Sequence, residues 1–326
     1  MWTAPANKLA VMQDVCLFAH FDKDDRLDDF VLRYLTKLKE LNFTIVLISA
    51  SRLAAAEITR AQGLCDDVIL RSNDGLDFAS WSAGFAKHGD AIRGRLLLTN
   101  DSIYGPVGGL GYALDRLTRA AADFYGMVES VEIAPHLQSW FLLLQPQVIR
   151  SPAFRSIMSQ PFTTMTRREI IRSGEVGLSR QLMAAGFRYE ALYRNSDAAL
   201  LPSRHDANPM LLYWREALFD AGVPFLKIEL LRDNAIGVED AATILREVEQ
   251  TDPEICGLIR AHLARTAVGP TRPRRVPLAR YRYALMRRYD QARREHRPMA
   301  AALARLQLEV LAVPLAISRR IRTPHV

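Results

Sequence analysis

Two carboxylate-bearing turns are the residues of this chain best suited to chemistry. The run Leu96-Leu97-Leu98-Thr99-Asn100-Asp101-Ser102 is apolar until it ends abruptly in polar residues, and Ile103-Tyr104-Gly105-Pro106 follows. That pattern reads as a buried strand releasing Asp101 at a sheet edge. Ligand sites in open α/β sheets lie beyond the carboxyl ends of the strands, so an aspartate released there can hold a divalent cation or a sugar hydroxyl. Upstream, Arg71-Ser72-Asn73-Asp74-Gly75-Leu76-Asp77-Phe78-Ala79 has the same form of strand end, polar turn and helix start. Two such ends predict a polar cleft for a phosphorylated or polyhydroxylated substrate.

A third polar group, His20, Asp22, Asp24, Asp25, Asp28 and Asp29, follows the first apolar run. First-turn acids favoured by a helix dipole account for Asp25, Asp28 and Asp29, whereas His20 and Asp22 stand closer to the strand as ligand contacts. Asp22-Lys23-Asp24, with Ser49 and Ser51 after the second run, also resembles the motif of aspartate-nucleophile (HAD-like) phosphatases. Those enzymes attack phosphate with the first carboxylate and protonate with the second. The hydroxyl residue expected after the second carboxylate is missing, with Arg26 and Leu27 in its place. This phosphatase reading is kept as an alternative.

Short apolar runs at 15–18, 44–48, 68–70 and 96–99 must position these residues, and helix-period segments at 27–41, 53–62 and 78–88 separate them. Alternation of this kind predicts βαβ units with a mainly parallel sheet. Further strands are expected at 124–128 and 139–144, and helices at 146–158, 176–185, 209–221 and 238–249. The fold class is α/β, one doubly wound, Rossmann-like domain over residues 10–268. Gly269-Pro270-Thr271-Arg272-Pro273 breaks the pattern and opens a basic helical C-terminal extension, 269–326.

The 326 residues are 49% apolar and 24% charged, enough for a full core, with a net charge of +7. Between Thr271 and Val326 stand fourteen arginines, no lysine and three acids, so the basic character belongs to the extension. Leu311, Val313, Leu315 and Ile317 beside Arg319, Arg320 and Arg322 suit a basic amphipathic helix on an anionic membrane surface. A solvated basic helix pair is the other reading. The acidic body shows no nucleic-acid module. No apolar run reaches the ~18 residues of a membrane span, and residues 1–15 lack the pattern of a secretory signal. Cys16, Cys65 and Cys256 are too far apart for a zinc motif, so a reduced, cytoplasmic setting is expected.

Resemblance sharpens this. Asn73 to Trp81, Leu98 to Pro106, Asp123-Phe124-Tyr125-Gly126 and His136-Leu137-Gln138-Ser139-Trp140-Phe141 occur in an order similar to the rhamnan synthesis protein F family. That family is associated with bacterial rhamnose-containing and related cell-surface polysaccharides. The similarity continues through Glu175-Val176-Gly177-Leu178-Ser179, Ala185-Gly186-Phe187 and Pro224-Phe225-Leu226-Lys227, covering residues 15–237. The order also resembles single-domain nucleotide-sugar glycosyltransferases of the GT-A type.

The resemblance implies transfer of a sugar, L-rhamnose among the candidates, from a nucleoside-diphosphate donor to a glycan or lipid-linked acceptor, and the basic extension adds the expectation of a place at the inner face of the cell membrane. Donor contacts would fall on His20, Asp22, Asn73, Asp74, Asp77, Asn100, Asp101 and Ser102, and the catalytic base on Glu175. Asp101 would hold a divalent cation, Mg²⁺ or Mn²⁺. The class normally offers two carboxylates where this chain has Asp101 alone, so a non-catalytic sugar-binding subunit is a further alternative. His136, Gln138 and Lys227 are expected as acceptor or donor contacts. Structural roles compete throughout: Asp77 as a helix N-cap, Glu175 as a first-turn acid, His136 as a satisfied interior histidine, Trp81 and Trp140 as core, and Lys227 or Arg232 as partners of Glu229 or Asp233. The sharpest expectation is that Asp74, Asp101 and Glu175 open into one cavity.

Overall fold

The computed structural model describes residues 13–131, 133–194, 208–233, 240–266, 285, 288–289, 292–293 and 295–308. Its strands in chain order are β1 (Val15–His20), β2 (Thr44–Ser49), β3 (Asp67–Leu70), β4 (Leu96–Asn100), β5 (Ile103–Tyr104), β6 (Phe124–Ser130), β7 (His136–Leu137), β8 (Phe141–Leu144), β9 (Tyr189–Tyr193) and β10 (Leu226–Lys227). β1, β2 and β4 are buried at every position. Strands of that kind belong in a sheet covered by helices on both faces.

Alternation along the strands builds two apolar layers. Cys16, Phe18 and Leu97 pack with Phe30, Tyr34 and Leu38 of helix α1 (Asp29–Glu40). Leu17, Ala19 and Leu98 face the other way, against Phe78, Trp81 and Phe85 of a helix over Leu76–His88. Helix Ala55–Gln62 connects β2 to β3.

The sheet runs β3-β2-β1-β4-β8-β6, with β7 and β9 also paired to β6. β1, β2, β3 and β4 are parallel, β8 is antiparallel to both β4 and β6, and β9 is parallel to β6. The mainly parallel, doubly wound α/β expectation is met. Because β1 has β2 on one side and β4 on the other, the winding reverses between β1 and β4. In open α/β sheets such a reversal opens a crevice at the carboxyl ends of the strands. β5 and β10 form a separate antiparallel pair beside it.

Several elements differ from the sequence expectation. The segment 146–158 is two helices, Pro146–Arg150 and Pro152–Met158, because Ser151 is extended and caps the second through a bond from the Phe154 N–H. The segment 209–221 breaks after helix Pro209–Leu212 and resumes as a wide π turn, Glu216–Asp220. Helices Leu110–Leu117 and Pro253–Thr266 and strands β5, β7, β9 and β10 were not expected. Within the extension, residues 298–308 are helical. Ala301, Ala304 and Leu308, with Leu285, Tyr289 and Ala292, join the same apolar layer as α1. Residues 267–284, which contain the Gly269-to-Pro273 break, and residues 309–326, which contain Leu311, Val313, Leu315, Ile317, Arg319, Arg320 and Arg322, lie outside the described residues. The three cysteines are free and buried. Among the described residues no helix is long and apolar enough to cross a membrane.

Candidate active site

The crevice between β1 and β4 is where the polar strand ends converge. Phe21, the first residue after β1, donates its backbone N–H to Asp101 Oδ2 at 2.8 Å, a bond that spans the reversal point. Asn100 closes β4: its Oδ1 accepts from the Ser102 backbone N–H and hydroxyl at 3.1 and 2.7 Å, and its Nδ2 donates to Asp77 Oδ2 at 2.7 Å. Asp77 reaches the crevice because Gly75 (φ +80°) and Leu76 (φ +53°) turn the chain into the helix Leu76–His88 in the left-handed region. A Cβ on Gly75 would lie 2.6 Å from the Phe162 backbone, so glycine is required there. Gly75, not Asp77, occupies the N-cap position.

Glu175 arrives from a different element. Residues Ile170–Glu175 form a π turn between Arg167–Glu169 and the helix Val176–Ala184. Such wide turns frequently accompany functional positions. Glu175 Oε1 accepts from the Ser139 backbone N–H at 3.2 Å.

These side chains line one cavity of about 860 Å³, a size suited to a small ligand. His20, Asp22, Asn73, Asp77 and Asn100 contribute to its wall, as do Asp101, Ser102, Glu175 and Lys227. Burial pushes the Asp77 carboxyl up to about 6, and the nearby Glu175 charge adds to the shift. Asp101 is raised well above the carboxylate range by burial and by the Asp77 charge. Burial lowers His20 to about 4, so its imidazole is neutral near pH 7. Its Nδ1 bonds the Ser49 hydroxyl at 2.9 Å, and its Nε2 stands 3.8 Å from Asp101, too far for a hydrogen bond. Lys227 stands on β10 opposite Ile103, and its charge and that of Arg167 both act on Asp77.

On the opposite lip the acids are engaged. Arg265, from the helix Pro253–Thr266, bonds Asp22 Oδ2 at 2.5 Å, Asp24 at 2.6 Å and also Asp28. Although burial opposes ionisation, bonds from Arg265 and from the backbone N–H groups of Asp24 and Arg26 hold Asp22 below the usual range. Asp22, Asp28 and His262 have donor atoms within 4.8 Å of one another, a spacing compatible with a cation, and the Arg265 guanidinium already offsets part of their charge. The phosphatase alternative finds no support here. The carboxylates it would use as nucleophile and proton donor are both bonded to Arg265, and Ser51 is bonded to the Asp22 backbone.

Three expected contacts lie outside the cavity. Asp74 is exposed and does not line the cavity, and its backbone carbonyl accepts from Arg71. Gly75 and Leu76 reverse the chain between it and Asp77, so the shared cavity expected for Asp74, Asp101 and Glu175 holds for the last two, with Asp77 as the third acid. His136 is buried in β7, paired with Ser130, and its Nδ1 lies 2.7 Å from the Ala134 carbonyl. Gln138 is a buried tie that donates to Asn208 at 2.9 Å and accepts from the Trp140 indole at 2.7 Å. Trp81 and Trp140 are core residues, Trp140 with an edge on the cavity. Arg232 pairs with Asp233.

Sequence reasoning missed Phe21, Arg167, His262 and Arg265. Signals for three of these existed. Thr166 and Glu169 form a capping box that starts a helix at Arg167. Asp252-Pro253 is a helix-start pair that phases His262 and Arg265.

A sequence model of the family described as rhamnan synthesis protein F matches residues 45–301. The chain belongs to that family. Membership ties it to polysaccharide synthesis. The VirA virulence protein of Vibrio anguillarum is 24% identical over 274 residues, 74% of this chain and 87% of that protein. The uncharacterized protein y4gN of Sinorhizobium fredii is 24% identical over 201 residues, 60% of this chain and 52% of that one. Among solved structures, a protein of Desulfovibrio desulfuricans G20 described as a nucleotide-diphospho-sugar transferase aligns with a TM-score of 0.33 and 12% identity. It covers 55% of this chain and 80% of that one, a likeness too shallow to carry an argument.

Proposed function

We propose that this member of the rhamnan synthesis protein F family is a GT-A-type hexosyltransferase. It moves a sugar, with L-rhamnose the leading candidate, from a nucleoside-diphosphate donor to a cell-surface polysaccharide or its lipid-linked precursor. The observation that supports the reading is the meeting of Asp77, Asp101, Glu175 and Lys227 in one cavity at the reversal point of the sheet.

In this scheme the acceptor hydroxyl attacks the anomeric carbon as the bond to the diphosphate oxygen breaks, an inverting single displacement. Glu175 takes the hydroxyl proton, and the nucleoside diphosphate leaves with the bonding electron pair. Lys227 and Arg167 meet the charge developing on the departing phosphates. Asn100 orients Asp77 toward donor hydroxyls, and Ser102 and Asn73 complete the donor wall. Asp101 is a hard oxygen ligand with 16% of its side chain exposed, which suits it to Mg²⁺ or Mn²⁺. Such a cation, completed by water and donor phosphate, would stabilise the leaving group. The work takes place at the inner face of the cell membrane, with the basic extension toward anionic lipid and no nucleic-acid partner.

The test is transfer by the purified protein from a panel of nucleoside-diphosphate sugars, with and without Mn²⁺, for the parent and for Glu175→Gln. The expected result is turnover by the parent that falls about 10²-fold or more in the variant. Equal rates for the two would overturn the assignment of Glu175. Donor binding without turnover by the parent would replace the enzyme with a sugar-binding subunit.

A further inference from the structure

The helix at residues 298–308 is apolar on two opposite sides. Ala301, Ala304 and Leu308, spaced i, i+3 and i+7, are buried against the body. Met299, Leu303 and Leu306, spaced i, i+4 and i+7, are exposed at 84%, 59% and 59%. With about 100° of rotation per residue, the two stripes are centred roughly half a turn apart. Packing on the body explains the first stripe only, because a helix with one buried face normally shows water a polar one.

Charge indicates what covers the second stripe. Arg288, Arg293, Arg297 and Arg305 are exposed on the same stretch, within a segment of fourteen arginines and three acids. A second copy docking stripe to stripe about a two-fold axis would bring these like charges together. An anionic bilayer accepts both components, with apolar side chains in the acyl boundary and guanidinium groups among the phosphates. The helix is about 16 Å long, half the ~30 Å hydrocarbon core, so it fits lying in the interface and not crossing it.

We propose that Met299, Leu303 and Leu306 are the lipid-inserting face of the protein, and that the helix bearing them lies flat on an anionic membrane. This rests on the reading of the extension as a membrane contact and names the surface that makes it. The stripe differs from the one expected at Leu311 to Ile317. Because Ala301, Ala304 and Leu308 fasten the same helix to the body, lipid contact would fix the orientation of the body on the membrane.

The full chain is sedimented with vesicles of phosphatidylcholine containing about one third phosphatidylglycerol, and with phosphatidylcholine alone. The expected result is binding to the anionic vesicles only, weakened by 1 M salt, where the Debye length falls to about 3 Å. The Leu303→Gln/Leu306→Gln double variant should bind about tenfold more weakly or less, with an unchanged melting curve since both positions are exposed. If the double variant binds as tightly as the parent, the stripe is overturned while the membrane reading stands. If the parent binds no anionic vesicle, the membrane reading itself fails. A parent that is dimeric by light scattering and made monomeric by the double substitution would assign the stripe to a second copy instead.

Discussion

Two acidic groups face each other across the cavity, and they are handled in opposite ways. Asp22, Asp24 and Asp28 share the guanidinium of Arg265, and their negative charge is partly offset within the fold. No guanidinium is bonded to Asp77 or Asp101 among the described residues; Asp77 receives a bond from a neutral amide and Asp101 one from a backbone N–H, and both hold protons more tightly than ordinary carboxyls. An acid cluster with its own cation is explained by architecture. One left without a bonded cation in a cleft is a candidate for chemistry, because keeping it costs stability that a ligand can return.

The contrast breaks most readily on activity. Glu175→Gln and Asp101→Asn should each lower sugar transfer by about 10²-fold or more, measured as initial rates at saturating donor, without lowering the melting temperature below the parent's. A loss confined to stability would put these carboxylates in the architectural class.

Arg265→Ala should do the reverse. It strands Asp22 and Asp28 beside each other and should destabilise the protein by about 2–3 kcal/mol in urea unfolding, less than a fully enclosed pair because Asp24 reaches solvent. Millimolar Mg²⁺ or Ca²⁺ should then raise the melting temperature of the variant more than that of the parent, since the Asp22–Asp28–His262 donors have the spacing a cation uses.

Asp77 gives a smaller, pH-dependent effect. Burial pushes its folded carboxyl up to about 6 from the ordinary 3.8, so the native state binds the proton more tightly than the unfolded chain. Stability therefore falls as pH rises through that window and stays lower above it. Asp77→Asn should stabilise the protein by on the order of 1–2 kcal/mol at pH 8 and by nothing below about pH 4, read from thermal melts across pH. Least of all, Asp74→Ala should leave transfer within about twofold and stability within ~0.5 kcal/mol, because its exposed side chain lies outside the cavity. A large loss there would return Asp74 to the site.

The strands that carry the cavity were readable because β1, β2 and β4 are uninterrupted apolar runs ending in sharp polar turns. Asp101, Asn100 and Asn73 followed from that rule. Asp74 and Asp77 could not be separated by it. Which of two acids points inward is decided by the left-handed pair Gly75–Leu76, and Leu76 shows no sequence sign of that conformation. His136 and Gln138 look like ligand contacts in sequence, but His136 is buried in β7 against Ser130 with its ring on the Ala134 carbonyl, and Gln138 is tied to Asn208, 70 residues away. Arg265 was missed because its partners lie about 240 residues away, a separation that local periodicity does not register.

The π turn at Ile170–Glu175 sets the bearing of Glu175. Val176 bonds back five residues to Ile171, one more than in an ordinary helix. Deleting a single residue from this stretch would restore regular winding and swing Glu175 by about 100° around the axis. Every side chain of the pocket would keep its identity, yet the acid would leave its place beside Ser139. Length through this short segment is thus as strict a requirement as any amino acid in it, and under the role proposed for Glu175 a one-residue deletion there should abolish transfer.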